Sequence, residues 1–301
     1  MLAKWLRRLL AVEFAFWFAA ALAAGCGPAQ AAALALGALL GLRAALILAT
    51  FCWAWLARSP RPPEAAIGPA ATVRMIAGEI GAFLVLYLVF QPFERAVMGA
   101  QPLARLPPGA VPVLAVHGYL CNSGSWWWLR RRLERAGHCV ASVDLEPLFG
   151  SIDGGVERLR GRIEEVCAQT GAERVAILAH SMGGLVARGV LARHGASRVA
   201  CLITLGSPHH GSLLAAAGLG RNAAEMRPGS AWLAATDALP LPAGLAASAI
   251  YSLHDNFVVP QAAQRFAGAE NVALKGIGHL QLLFSGKVAA LVLERLARIA
   301  R

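Results

Sequence analysis

Charge is scarce in this chain. Only 15% of its 301 residues are Asp, Glu, Lys or Arg, and 57% are hydrophobic, a more apolar balance than an ordinary soluble domain carries. The six cysteines include no CxxC pair, which argues against a zinc site. They read as small buried apolar side chains and leave the redox compartment open. Zinc-finger spacing, an RNA-recognition signature and a long basic run are also missing, so the net charge of +11 does not point to nucleic acid. That charge is carried mainly by arginine. It reads either as a solvated, Arg-rich surface or as attraction to anionic lipid headgroups. The densest cluster, Arg130, Arg131 and Arg132 with Arg135, falls on an expected helix beside three tryptophans.

What the chain does have is apolar length, concentrated before residue 95. Three stretches stand out: Leu9 to Gly25, Ala31 to Ala57, and Met75 to Phe90. A spanning helix needs roughly 20 mostly apolar residues. The second stretch is long enough to span with tilt; the first and third must recruit flanking residues. Each holds one charge, Glu13, Arg43 and Glu79 respectively. An unpaired charge at mid-membrane costs about 2.5–3.5 kcal/mol on insertion scales. Arg43 is near the middle of its stretch and is expected to face the other helices and pair with Glu13 or Glu79. The two acids lie near the ends of theirs, within reach of the interface. Basic residues set orientation. Lys4, Arg7 and Arg8 precede the first stretch, and Arg58, Arg61 and Arg74 lie between the second and third. The N-terminus is therefore expected inside. Three spans would put the rest of the chain outside the cytoplasm; two would keep it inside. A signal peptide competes for the first stretch, because Ala23-Ala24-Gly25-Cys26 resembles a lipoprotein cleavage site, although another apolar segment follows where a polar tether is usual.

Ser-Pro and Pro-Pro steps between Arg58 and Gly68 mark a loop. Pro102, Pro107, Pro108 and Gly109 mark a second break, giving expected units of 1–95 (membrane anchor), 96–109 (linker) and 110–301 (a further domain). That last unit alternates two kinds of segment. Strands are expected at Val111–Val116, Cys139–Val143, Arg174–Ala179 and Val199–Leu205, and more weakly at Ser248–Ser252 and Asn271–Leu274. Helices are expected at Ser125–Ala136, Ile152–Gln169, Met182–His194 and Gly286–Ile299. Such alternation predicts an α/β fold, a mostly parallel sheet with helices on both faces. Residues 212–247, rich in Ala, Gly, Leu and Pro, fit no clean element and are expected to form a lid or cap.

The strongest chemical signal is Ala179-His180-Ser181-Met182-Gly183-Gly184, where an apolar run ends and a helical pattern begins. A serine nucleophile needs a sharp strand-to-helix turn that exposes its oxygen. Small residues two before and two after relieve crowding, and the helix N-terminus offers free N–H groups to an oxyanion. The serine also needs a base, and the base an orienting carboxylate. The downstream histidines are His194, His209, His210, His254 and His279. His279, in a Gly-rich loop between the last strand and the last helix, is the expected base. Of Glu225, Asp237, Asp255, Glu270 and Glu294, Asp255 follows a strand and is the expected acid; its competing role is to cap a helix begun by Pro260. Asp237 falls in the cap region and Glu294 inside the terminal helix. The oxyanion donors are expected to be the backbone N–H groups of Met182 and Tyr119, the latter in the bend His117-Gly118-Tyr119 after the first strand. His117 itself is expected to be structural.

Together Val116-His117-Gly118-Tyr119, Ala179 to Gly184, Asp255 and His279 resemble the α/β-hydrolase superfamily, of bacterial lipase and esterase type. Thr204 to Ser212 is similar to a T-P-H-x-G segment of such lipases, with Ser207 in place of Thr. The likeness runs from about Val111 to the C-terminus. It implies ester cleavage through an acyl-enzyme on a Ser181, Asp255, His279 triad, with no cofactor. The adjacent His209 and His210 lack a nearby carboxylate cluster, so no metal is expected. Thioesterases, acyltransferases, amidases and peptidases share this fold, and a non-catalytic membrane protein could retain it. Trp126-Trp127-Trp128 could line an acyl pocket, sit at a membrane interface or pack a helix. The anchor, apolar cap and aromatics together favour a lipid or long-chain ester. The spans and the basic loops together place the chain in a bacterial inner membrane, with the catalytic domain expected periplasmic, or cytoplasmic if only two segments span. A detachable anchor further predicts that hydrolysis survives removal of residues 1–100.

Overall fold

Short runs of Val, Ile, Leu and Ala form six strands: β1 (Val113–Val116), β2 (Val140–Val143), β3 (Val175–His180), β4 (Val199–Leu205), β5 (Ala246–Ser252) and β6 (Glu270–Leu274). In the computed structural model, which describes residues 1–99 and 103–299, they make one sheet in the order β2-β1-β3-β4-β5-β6. Every neighbouring pair is parallel. The expected break residue Pro102 lies outside the described residues. The first strand begins two residues later than Val111, and the final helix matches the expected Gly286–Ile299.

Side chains alternate across the sheet, as the pleat requires. Leu114, Val116, Val175 and Ile177 point into one apolar layer, covered by α6 (Ile152–Thr170) and α7 (Met182–His194). Val113, Ala115, Ala176 and Leu178 point into the other, covered by α5 (Trp127–Arg135) and α10 (Gly286–Ile299). Each fully buried Leu or Ile contributes roughly 1.5–3 kcal/mol. The strand order reverses at β1, which lies between β2 and β3. In open parallel sheets ligands bind at the carboxyl ends of the strands flanking such a reversal.

Two further helices, α1 (Leu2–Ala23) and α2 (Pro28–Leu56), form an antiparallel pair joined by a short turn, followed by α3 (Pro69–Val85) and one wider turn, Leu86–Phe90. Two segments are long and apolar enough to cross a membrane, Pro28–Leu56 and Pro69–Phe90. The buried residues of α2 are Ala31, Ala35, Leu39, Arg43, Ile47, Thr50 and Ala54, a single face at helical spacing. Leu9, Val12, Phe16, Leu34, Leu42 and Leu46 stand exposed on the outer faces.

Of the two partners open to Arg43, the structure selects Glu13. Arg43 donates to both its carboxylate oxygens at 2.9 and 2.7 Å. Removing one member of a pair buried this far costs about 3–5 kcal/mol. Arg43→Leu is therefore expected to lower the detergent melting temperature, and Glu13→Leu/Arg43→Leu to restore most of it; a single variant melting at wild-type temperature would discard the pairing.

Glu79 does something else. It is fully buried, at 0% exposure, against the segment Leu280–Phe284. Contacts thus cross the expected 96–109 boundary. Ala82, Leu86 and Met98 share an apolar layer with Trp126, Leu129 and Leu283. Of the three tryptophans, Trp126 is in this core, Trp127 packs against Phe90 at 4.6 Å and Trp128 against Phe284 at 6.3 Å between ring centroids. Helix packing is the role these contacts describe. Residues 212–247 contain more order than their composition suggests: a 3₁₀ turn (Leu213–Ala217), α8 (Arg221–Glu225) and α9 (Ala231–Asp237), numbered here after α4 (Glu94–Met98).

Candidate active site

Ser181 sits between the end of β3 and the start of α7 with φ 54° and ψ −129°, a backbone conformation that is costly for a residue with a Cβ. The turn holds because its surroundings over-determine it. The Ser181 N–H donates to the Leu205 carbonyl at 2.9 Å, and Ala179 before it is wholly buried. A side chain at Gly183 would overlap the carbonyl oxygens of Val116 and His117, so the β1 end and the turn can touch only because position 183 is bare. Gly118 does the same service from the other side, since a Cβ there would lie 2.7 Å from that of Ser181. The bend His117-Gly118-Tyr119 therefore rests directly on the serine. Met182 is the first residue of α7, where an N–H has no partner within the helix.

Asp255 and His279, twenty-four residues apart, meet at 2.7 Å through Oδ2 and Nδ1. The carboxylate is fully buried, and its other oxygen, Oδ1, accepts from the N–H groups of Phe257 at 2.8 Å and Val258 at 2.7 Å. Asp255 thus caps the turn at Phe257 and Val258 rather than the helix begun by Pro260, and it does so with the oxygen that His279 does not use. Burial by itself would lower the pKa of His279, but the Asp255 charge and hydrogen bond outweigh it, with a smaller push from Glu79, and the net shift is upward. The imidazole lies over the end of β4, where a Cβ on Gly206 would be 3.1 Å from Nδ1. It is also beside the turn, since the ring of His180 is 4.7 Å from its own and His180 Nε2 is 3.3 Å from its carbonyl. Burial holds His180 well below its ordinary pKa.

The remaining candidates have other partners. His117 accepts from the Leu145 N–H through Nε2 at 3.0 Å and is 2.9 Å from the Gly118 carbonyl through Nδ1. Buried His209 is 3.1 Å from the Thr204 hydroxyl, while exposed His210 lies 3.2 Å from Asp237. Glu294 pairs with Arg295 and Arg298. Among the described residues no group of three or more His, Cys, Asp or Glu is arranged to hold a metal.

Sequence reasoning missed three residues that hold the His279 loop. Glu79 accepts from the N–H of Leu280 at 2.8 Å and of Gln281 at 3.0 Å. Asn256 accepts from the His279 N–H at 3.2 Å, and its amide donates to the Thr50 hydroxyl of α2 at 2.8 Å. The one available signal was an acid and a threonine stranded in apolar runs. Residues 212–247 reach this bend as well: the Tyr119 hydroxyl donates to the Leu219 carbonyl at 2.7 Å and accepts from its N–H at 2.9 Å.

Comparison with known proteins agrees with this architecture. Residues 111–254 match the alpha/beta hydrolase fold family. Over 110 residues the chain is 36% identical to a triacylglycerol lipase of Pseudarthrobacter phenanthrenivorans, covering 34% of each chain. It is also 36% identical over 110 residues to one of Burkholderia plantarii, covering 34% of this chain and 30% of that one. The chain thus spans about a third of the length of these curated relatives. The crystal structure of the mature lipase BlEst2 of Bacillus licheniformis superposes with a TM-score of 0.56 at 19% identity, over 65% of this chain and 95% of that one. By its sheet order and its family match, the chain has the α/β-hydrolase fold, and the relatives it resembles are lipases.

Proposed function

We propose that this protein is a membrane-anchored carboxylic ester hydrolase with Ser181 as nucleophile, His279 as base and Asp255 as its orienting acid. The observation that carries the reading is the 2.7 Å contact between Asp255 and His279 beside the strained turn at Ser181. With Nδ1–H donated to Asp255, His279 presents Nε2 to take the hydroxyl proton as Ser181 Oγ attacks the ester carbonyl carbon. The N–H groups of Tyr119 and Met182 receive the oxyanion. When it collapses the alkoxy bond breaks, Nε2 returns the proton to the departing alcohol, and an acyl-serine remains. Water then gives a proton to Nε2 and its oxygen to the acyl carbon; the carbon–Oγ bond breaks, Nε2 returns the proton to Ser181 Oγ, and the acid is released.

The pH profile tests the base. Catalysis needs neutral His279, so activity is lost as pH falls through its raised pKa. The acidic limb of kcat/KM is expected above pH 6.5, the unperturbed value. Asp255→Asn removes the two larger groups that raise it and leaves burial opposed only by Glu79, which moves the limb to lower pH and lowers kcat by about 10³–10⁴-fold. An unmoved limb in that variant rejects the pairing.

A lipid or long-chain substrate is supported by the exposed apolar faces of α1 and α2. The hairpin touches the hydrolase domain at Met1 and Thr50, and the loop that leaves it does so at Ser59. An antiparallel pair brings those ends together, so a hairpin inserted in a bilayer keeps the hydrolase domain on the side of its own N-terminus. With Lys4, Arg7, Arg8, Arg58 and Arg61 at that end, the positive-inside rule favours the cytoplasmic face of a bacterial inner membrane. Fluorophosphonate labelling of Ser181, followed by a chain-length series of esters in detergent, tests activity and substrate together. An unlabelled serine, or turnover falling steadily with chain length, would count against the reading.

A further inference from the structure

The loop that leaves α2 carries two arginines with no carboxylate partner among the described residues. Arg58 lies over the Trp55 ring at 5.3 Å, and the buried Nε of Arg61 has no hydrogen-bond partner among the described residues. Lys275 is drawn to the same place, donating to the backbone carbonyl of Glu64 at 2.8 Å. His254 completes the cluster without adding charge: burial, with the Arg61 and Lys275 charges, pushes its pKa down to about 4. A desolvated guanidinium left unpaired is expensive, and its planar fork suits phosphate oxygens.

Arg58 and Arg61 border a groove of about 1070 Å³ between the end of α2 and the start of α3. Leu48, Phe51, Trp55, Met75 and Ile76 form its wall, with His254 among the lining residues. Leu48 and Trp55 are themselves exposed, so the wall continues onto the outer apolar face of α2. A free phosphate would use the arginines and leave the apolar wall wet. A neutral fatty chain would use the wall and leave the arginines unpaired. A zwitterionic headgroup would bring its cation to a groove lined by two arginines and no acid.

We propose that this groove is a binding site for an anionic phospholipid, its phosphodiester held between Arg58 and Arg61 and an acyl chain laid along Leu48, Phe51 and Ile76. The site takes the α1–α2 hairpin as membrane-embedded, and it is independent of the hydrolytic chemistry. Its head end lies at the domain side of α2, the level a headgroup reaches if that helix is inserted. It is one residue from Asp255 in sequence and is built from side chains that the hydrolytic steps do not use.

The test uses the full chain carrying Ser181→Ala in detergent, so that no turnover intervenes, with bound lipid read by native mass spectrometry. Long-chain phosphatidylglycerol is expected to be retained at one per protein and at least tenfold more tightly than phosphatidylcholine of the same chains. Arg58→Gln/Arg61→Gln is expected to lose at least tenfold in affinity. Arg61→Lys, which keeps the charge and loses the fork, should fall between. Ile76→Trp fills the wall without touching any cation and should expel the lipid as well, so the outcome does not hang on a variant that fails to fold. Equal retention of the two lipids, or unchanged binding in the Arg58→Gln/Arg61→Gln and Ile76→Trp proteins, overturns the proposal. So does displacement of phosphatidylglycerol by millimolar inorganic phosphate, which would make this a small-anion site. Failure of ester hydrolysis would leave each of these readings intact.

Discussion

Ser181→Ala is expected to lower kcat/KM for a short-chain ester by on the order of 10⁴-fold or more, with the melting temperature near that of wild type. The size follows from what the hydroxyl does. In the proposed mechanism it is the group that becomes covalently attached to the acyl carbon, and water attacking directly would keep only the help of the oxyanion donors and of binding. The small stability change follows from the turn. Alanine carries the same Cβ as serine into φ 54°, so the backbone cost stays and only a partly exposed hydroxyl is lost. Esterase assay, fluorophosphonate labelling and calorimetry on the same preparation separate the outcomes. A variant that hydrolyses at the wild-type rate removes Ser181 as nucleophile. A wild-type chain that neither labels nor turns over makes this a hydrolase fold kept for another purpose.

The sheet was legible because its strands are buried on both faces. Runs such as Val175–Leu178 are apolar without alternation, as a parallel sheet between two helical layers demands. The serine turn was legible because two constraints coincide on few residues: a strand-to-helix junction and small side chains at 179 and 183. Asp255 and His279 could be placed by chain order and by their loops, although only coordinates put them 2.7 Å apart. The cap was opaque for a reason of composition. Ala, Gly, Leu and Pro at 212–247 leave little periodicity, and its short helices are fixed by distant partners, such as Glu225 accepting from the Ile152 N–H at 2.6 Å. Glu79 misled for a different reason. An isolated acid in an apolar helix can pair with a basic residue, reach an interface or cap a neighbouring segment, and sequence spacing does not separate these. Arg43 took Glu13, which left Glu79 free to serve the segment after His279.

That service ties the N-terminal helices to the segment that carries His279, the proposed base, so under that proposal they are more than a detachable anchor. Removing residues 1–95 is expected to abolish hydrolysis. The deletion strips Ala82 and Leu86 from the apolar layer around Trp126, and it takes away the acceptors for Leu280 and Gln281 and the Thr50 hydroxyl behind Asn256. A deletion this large also perturbs folding, so the sharper test is Glu79→Gln. The amide keeps the size of the side chain and one acceptor, but it aims an N–H₂ group at a backbone donor. Hydrogen bonds to a charged group contribute about 1.5–3 kcal/mol, and a displaced catalytic group can cost about 10²-fold. Glu79→Gln is therefore expected to reduce kcat by about 10- to 100-fold with little change in KM. The acidic limb should move down in pH, because the carboxylate is one of the groups that raise the His279 pKa. Glu79→Asp, which restores the charge on a shorter stem, should recover part of the rate and most of the limb. A purely architectural Glu79 would lower the melting temperature and leave kcat and the limb of the folded fraction where they were. That result, or full activity of a folded chain lacking residues 1–95, would return the helices to the status of an anchor.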